Sequence, residues 1–393
     1  MPDRPTCEVI VVGAGPAGSS AAAALARRGR DVLLVDRADF PRGKPCGDGI
    51  PPGAVGILDR LGAGEALRAA RFAPVSAIRL VSARGRDFRL GFRPRRESEA
   101  FFIAPRLRLD DLLFRHALAS GAGFQRARVL GPLRQDGRVV GVRADVGGVA
   151  QELGARFVVA ADGATSAVAR ALVAEKAPEH HRGVAIRAYV EGIETLPETV
   201  EFHFAAALAP GYAWIFPTGR RSANVGVIVR TDRYKRRGAS LTALLDDFLR
   251  CADVRPRLSP GATVREAASW QVPYATPATP RRAYPGALLV GDAGRFVDPL
   301  TGEGIHSAVV TGMIAAEVID DALLRGDATA TALDAFDSRC DAELGALTRR
   351  SYRAQKYLVT HPWLLECSFI AARSGRGLVS AWLNRVSTDF RVG

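Results

Sequence analysis

Between Cys7 and Asp36 the chain places a strand, a glycine turn, a helix and a second strand with almost nothing between them. Cys7–Val12, "CEVIVV", is an apolar run of strand length, and "GAGPAG" follows directly. Ser19 to Arg28 is alanine-rich and helical, and "DVLLVD", Asp31 to Asp36, reads as the second strand. Gly13, Gly15 and Gly18 thus form G-x-G-x-x-G at a strand-to-helix junction, with Ala17 inside the turn. Asp36 closes the second strand eighteen residues after Gly18, with Arg37 beside it. Glycines there let the backbone approach a pyrophosphate at a helix N-terminus, and an acid so placed bonds a ribose hydroxyl. A merely glycine-rich turn would need neither the flanking elements nor the acid. A βαβ dinucleotide-binding opening is expected.

The length of 393 residues exceeds one ordinary core, so two or three domains are expected. The five cysteines (7, 46, 251, 340 and 367) form neither a CxxC pair nor a disulfide framework, which fits a reducing compartment. No charged-then-apolar leader precedes the first strand, and no run of about 18 apolar residues occurs. A cytoplasmic protein is expected. The net charge of +13 rests on 54 basic side chains, of which only Lys44, Lys176, Lys235 and Lys356 are lysine. These bases are dispersed, with no nucleic-acid motif, so a nucleic-acid partner is excluded. Anionic lipid surfaces and diphosphates remain fitting partners for so basic a chain. The six histidines show no metal spacing, and no G-x-S-x-G elbow, Walker loop or HExxH appears, so no metal is expected. His180 and His181 are expected in an exposed loop.

Further along, Ser76–Ala83 and Arg86–Phe92 alternate as strands do, and a helix is expected from about Arg106. Short strands follow around Phe124–Leu133 and Arg138–Val146, joined by the turn "QDGR". "ARFVVAADGATS" is a buried strand ending at Asp162-Gly163. From Arg182 to Val229 the pattern switches to alternation, which predicts a mostly antiparallel sheet inserted as a second domain. Leu241–Cys251 is a helix, and beyond Ala315 the chain is mainly helical.

"GALLVGDAGRFVDPLTGEGIHSA" is the second informative motif: a strand runs into Gly291-Asp292, and a turn bearing Gly302 and Gly304 opens a long apolar helix. The amides near Gly304 and Ile305 would point positive dipole at a ligand above them, and Asp292 would bond a polyol hydroxyl. The fingerprint, the Asp162-Gly163 turn and the Gly291-Asp292 turn occur in the order found in the FAD-binding fold of aromatic hydroxylases, flavin halogenases and geranylgeranyl reductases. Arg106 matches the arginine that such proteins place near the flavin diphosphate.

Two stretches choose a branch. "FPRGKPCGDGIPPGAV" closely resembles the P-R-x-K-x-C-G-x-G loop of the geranylgeranyl reductase family, and "PGYAWIFPTGRRSANVGV" resembles its Y-x-W-x-F-P motif. "DPLTGEGI" agrees, and the resemblance spans roughly residues 7 to 320. Two positions depart from it. Ala209 stands where the strict form has proline, and Gly43 where an acid is common.

The resemblance implies an α/β fold: a Rossmann-type FAD-binding domain, an inserted antiparallel substrate-binding sheet and a C-terminal helical segment. The expected division is 1–74, 101–180 and 284–328 for FAD, 75–100 and 181–283 for substrate, and 329–393 for the helical region. It also implies non-covalent FAD, with Cys46 and Gly47 against the flavin and the thiol facing the substrate. Hydride from the reduced cofactor and a proton would then saturate C=C bonds of an isoprenoid: a prenyl diphosphate, prenylated quinone or lipid. An unperturbed thiol is mostly protonated at neutral pH, so Cys46 is the candidate acid. Lys44 is expected either to lower that pKa or to meet an anionic substrate group. Tyr212, Trp214 and Phe216 alternate along one strand and leave the same face, either as core or as an aromatic wall for the prenyl chain. Cys46, Tyr212 and Trp214 are the catalytic candidates.

With one nucleotide fingerprint and no second βαβ unit, electrons are expected from transiently bound NAD(P)H or a reduced partner protein such as ferredoxin. The rival is a flavin monooxygenase or halogenase acting on an aromatic or natural-product substrate. Tyr-Ala-Trp-Ile-Phe-Pro in place of W-x-W-x-I-P argues against a halogenase, and the cysteine loop argues against a hydroxylase. A flavoprotein serving only as a scaffold would leave every one of these motifs idle.

Overall fold

The computed structural model describes residues 7–374 apart from 93, 95, 97, 98 and 328. β1 (Cys7–Val12) lies at the middle of a largely parallel sheet, between β2 (Val32–Asp36) and the strand Val149–Ala160. Gly123–Arg126 extends it parallel beyond β2, and Ala287–Leu289 extends it parallel on the other side. Val9, Ile10 and Val11 are wholly buried. Covered on both faces, such a strand needs a continuous apolar run rather than alternation.

α1 (Pro16–Ala26) begins with proline in its first turn, where a missing N–H costs nothing. It packs on the helix Ile305–Leu324 so closely that a Cβ on Gly312 would run into the Ala17 carbonyl oxygen. The small residues of both motifs thus set the distance between these two helices, and through it the shape of the turn above them.

The second sheet has seven strands in the order 258–273, 182–193, 222–230, 211–219, 199–203, 77–81 and 87–91. All its pairings are antiparallel except Thr199–His203 with Ala77–Val81. One face (Ala213, Ile215, Val225, Val227) packs under the helix Leu241–Arg250. The other face carries Tyr212, Trp214, Phe216 and Ile228, and meets Val75, Phe101 and Ile103 from a small three-stranded sheet.

Several elements differ from the sequence expectations. The stretch 124–133 divides at Ala127: Gly123–Arg126 joins the parallel sheet and Arg128–Gln135 pairs antiparallel with Arg138–Val146. Leu258–Pro273 is a long strand at a sheet edge with mostly exposed side chains, so no apolar alternation betrays it. His181 is buried rather than in an exposed loop, and its Nδ1 is 3.1 Å from Thr276 Oγ1. Burial, then the neighbouring His180, pushes its pKa down to about 4. After residue 329 the described chain is helical, with π-helical turns at Asp341–Gly345 and Gln355–Val359; residues 375–393 lie outside the described part. Among the described residues no helix is long and apolar enough to cross a membrane, and no His/Cys/Asp/Glu cluster is placed to hold a metal.

Candidate functional site

The three glycine turns end neighbouring strands of one sheet, at the carboxyl ends where open α/β sheets bind ligands. Gly13–Gly18 follows β1, Asp162-Gly163 follows Val149–Ala160, and Gly291-Asp292 follows Ala287–Leu289. Together they line a cleft of about 450 Å³ that also reaches Asp36, Arg37, Arg106 and Ala308. Gly13 has φ +96°, a left-handed conformation natural to glycine. A Cβ on Gly18 would be driven into the Gly13 carbonyl oxygen, so the turn closes only with glycine at both places.

Asp36 braces this turn from β2. Its Oδ2 accepts from Ala14 N at 2.8 Å and its Oδ1 from Ala38 N at 3.0 Å. Gly15 is different, because a Cβ there would meet only guanidinium ends, Arg42 at 3.5 Å and Arg106 at 3.9 Å. The space over the turn is therefore open and faced by two cations. Both are held by buried Asp110, which accepts from Arg42 Nη1 at 2.8 Å and from Arg106 Nε at 2.6 Å. Two polar atoms at the cleft, Asp162 Oδ1 and Trp270 Nε1, are buried without a hydrogen-bond partner among the described residues. A cationic cradle for a diphosphate, with a spare acceptor and a spare donor beside it, fits FAD.

Sequence reading missed Arg42 and Trp270. Arg42 stands four residues from Cys46 in the quoted loop, but nothing in the sequence says that it reaches Asp110, 68 positions on. Lys44 reaches across the cleft. Its Nζ bonds Asp292 Oδ2 at 2.8 Å, and the cation beside the Cys46 thiol is Arg106 instead.

The second cluster lies behind the loop. A Cβ on Gly47 would sit 3.1 Å from the Phe216 ring and 3.6 Å from Trp214 Nε1, so Cys46-Gly47 rests directly on the aromatic strand. Gly302, at φ +65°, comes equally near the Tyr212 hydroxyl, which donates to the Thr301 carbonyl. Gly226 lies on the neighbouring strand opposite Trp214, and any side chain there would collide with the indole ring. Gly304 caps the long helix that starts at Ile305, and Gly291 packs on Ala17. Tyr212, Trp214 and Phe216 are 7%, 6% and 9% exposed, so the aromatic face is covered by its neighbours rather than lining the open cleft.

Cys46 is half-buried. Desolvation pushes its thiol pKa up, the Arg106 guanidinium pulls it back, and Asp48 pushes it up again. The net shift is upward, so the group stays a neutral S–H at physiological pH. Its sulfur accepts from Asp48 N at 3.4 Å. Burial likewise raises the Tyr212 hydroxyl well above its ordinary value.

This cleft and thiol loop define a flavin-dependent oxidoreductase. A family model described as an FAD binding domain matches residues 6–351. A menaquinone reductase of Mycobacterium tuberculosis is 36% identical over 80% of this chain and 77% of its own. A digeranylgeranylglycerophospholipid reductase of Methanospirillum hungatei is 31% identical over 90% of this chain and 85% of its own. Among solved structures, a geranylgeranyl bacteriochlorophyll reductase-like protein of Thermoplasma acidophilum superposes with a TM-score of 0.81 at 25% identity, covering 90% of this chain and 88% of its own. The myxobacterial chondrochloren halogenase superposes with a TM-score of 0.74 at 26% identity, covering 98% and 92%. The chain belongs to the FAD-binding-domain family, in its geranylgeranyl reductase branch.

Proposed function

We propose that this FAD-dependent reductase saturates C=C bonds of an isoprenoid chain, with Cys46 as the proton donor. One observation carries the reading: the Cys46 thiol stands on a loop that joins the dinucleotide cleft to a strand of three aromatic side chains. Bound FAD, once reduced, supplies hydride. The glycine turn, Arg42 and Arg106 would hold its diphosphate, Asp36 and Arg37 its ribose end, and Asp162 and Asp292 its remaining hydroxyl or ring groups. Gly302, Gly304 and Ile305 would present helix-terminal amides to it.

Arg106 and the Asp48 amide sit where they would receive the thiolate left after Cys46 gives up its proton. Tyr212 and Trp214 would face positive charge building on the alkene, with Phe216 extending the wall. Because that face is covered in this structure, a prenyl chain would enter by displacing the side chains over it, Phe101 among them. Lys44, paired with Asp292, would serve the cofactor cleft. Sheet and cleft support the division into a discontinuous FAD domain, an inserted substrate sheet and a helical C-terminal region. NAD(P)H or a reduced carrier protein would deliver electrons at the same cleft. Under anaerobic conditions, a geranylgeranyl chain on a redox-inert head group should reoxidise the reduced protein, whereas its fully saturated analogue should not.

An isoprenoid substrate resides in membranes, and Tyr357 and Trp363 are 58% and 65% exposed near Lys356 in the C-terminal segment. We expect salt-sensitive co-sedimentation with anionic liposomes, since surface attraction is about 1 kcal/mol per basic group and is screened within a Debye length. Absence of binding at low salt would contradict a peripheral membrane location.

A further inference from the structure

The side chain of Asp48 is buried and has no part in the scheme above. It lies between Gly47 and Gly49 with none of its surface exposed and with φ +66°, a left-handed backbone unusual for a residue with a side chain. Its partners come from four separate parts of the chain. Oδ2 accepts from the Tyr189 hydroxyl at 2.6 Å and from Asn224 Nδ2 at 2.8 Å, while Oδ1 accepts from Arg106 N at 3.2 Å. Its carbonyl accepts from Ala104 N at 2.7 Å, and its own amide donates to Cys46 Sγ.

Asn224 extends the web in both directions. Its Nδ2 also donates to the Cys46 carbonyl at 2.7 Å, and its Oδ1 accepts from Trp214 Nε1 at 2.9 Å. One carboxylate therefore ties together the thiol loop, the Arg106 helix start and two strands of the substrate sheet. A buried carboxylate is costly in the folded state, so a web that satisfies it also fixes its geometry. Resting on the reductase reading above, we propose that Asp48 is a positioning residue of the reduction: through its own amide and through Asn224 it holds the Cys46 thiol and the Trp214 ring in one register.

The charge has a second effect. The titratable and charged groups facing Cys46 are Arg106 from the helix, Tyr189 and Tyr212 from the sheet, and Asp48 from its own loop; Arg187 faces Asp48 in turn. Of these, Asp48 opposes thiolate formation. Burial pushes the Asp48 carboxyl up and the hydrogen bonds from Tyr189 and Asn224 pull it back; over the pH range in which it is ionised, removing its charge would lower the thiol pKa, so thiolate would form at lower pH.

The test uses the FAD-loaded protein and Asp48→Asn, which keeps the size, removes the charge and turns one acceptor oxygen into an N–H donor facing the donors of the web. Site-resolved alkylation of Cys46 by iodoacetamide, read by mass spectrometry without substrate, should shift to lower pH and run roughly tenfold faster at neutral pH. Turnover of a geranylgeranyl chain should fall roughly tenfold, with KM within about twofold, and the alkaline limb of kcat should move to lower pH. If Asp48→Asn does not fold, Tyr189→Phe decides: losing one hydroxyl on Oδ2 should cost about threefold in kcat with KM and FAD content unchanged. Wild-type kcat in whichever of these variants folds overturns the proposal, as does an unmoved alkylation profile in Asp48→Asn. The alkylation readout is independent of the reaction. A shifted profile in a protein that saturates no prenyl chain would sink the reductase reading while leaving the grip of Asp48 on the thiol loop intact.

Discussion

Gly15→Val should yield folded, colourless protein, whereas Gly18→Val should yield almost no folded protein at all. Both glycines belong to one fingerprint, yet the space around them differs. A side chain at 15 projects into the open cleft towards the Arg42 and Arg106 guanidinium ends, both ordinary van der Waals contacts that the fold tolerates. The same atoms occupy the volume a diphosphate needs, so FAD binding should weaken by roughly 100-fold or more, on the order of 3 kcal/mol. At 18 the first carbon meets backbone oxygen of the same turn, which cannot move without unmaking β1. That overpacking should cost more than about 4 kcal/mol, enough to empty the folded state of a marginally stable protein. Flavin absorbance after gel filtration, together with thermal melting, separates the two. Full FAD occupancy in Gly15→Val would show that the cofactor does not lie over this turn.

Cys46→Ala should keep FAD and still accept electrons, because the cleft that fits the cofactor is lined by residues other than the thiol. Alkene reduction should fall roughly 100-fold or more, the range of a lost general acid. Cys46→Ser should recover little, since an unperturbed hydroxyl is a far weaker acid than a thiol. The reduced variant should persist and reoxidise only slowly in air. Near wild-type reduction by Cys46→Ala with FAD bound would make the thiol a matter of shape. Proton delivery would then pass to Tyr212, whose hydroxyl is engaged by the Thr301 carbonyl, or to water.

The cofactor side of this molecule was legible because its constraints are local. Gly13 and Gly291 are called for by their own positive φ and Gly18 by the Gly13 carbonyl of the same turn, and the strands before each turn are apolar runs that announce burial. Tyr212, Trp214 and Phe216 were legible as one face because strand geometry alternates strictly. What stayed hidden depends on pairings across the chain. Lys44 looked like a neighbour of Cys46, two positions away, yet its partner Asp292 is 248 positions on. Asp48, Tyr189 and Asn224 are unremarkable polar residues singly, and only the docking of the thiol loop on the second sheet joins them. The edge strand Leu258–Pro273 was missed because its mostly exposed side chains carry no apolar alternation, and the buried His181 because its burial follows tertiary packing rather than local pattern.

This chain adds hydrogen to an isoprenoid double bond. The most direct measurement is high-resolution mass spectrometry of geranylgeranyl diphosphate, a prenylated quinone and a geranylgeranyl lipid after incubation with chemically reduced, FAD-loaded protein. Saturation predicts products heavier by two hydrogens for each bond reduced, absent from Cys46→Ala incubations run in parallel. Products heavier by one oxygen or carrying a halogen, formed only when air or halide is supplied, would contradict it and place the chain with the oxygen-activating members of its fold.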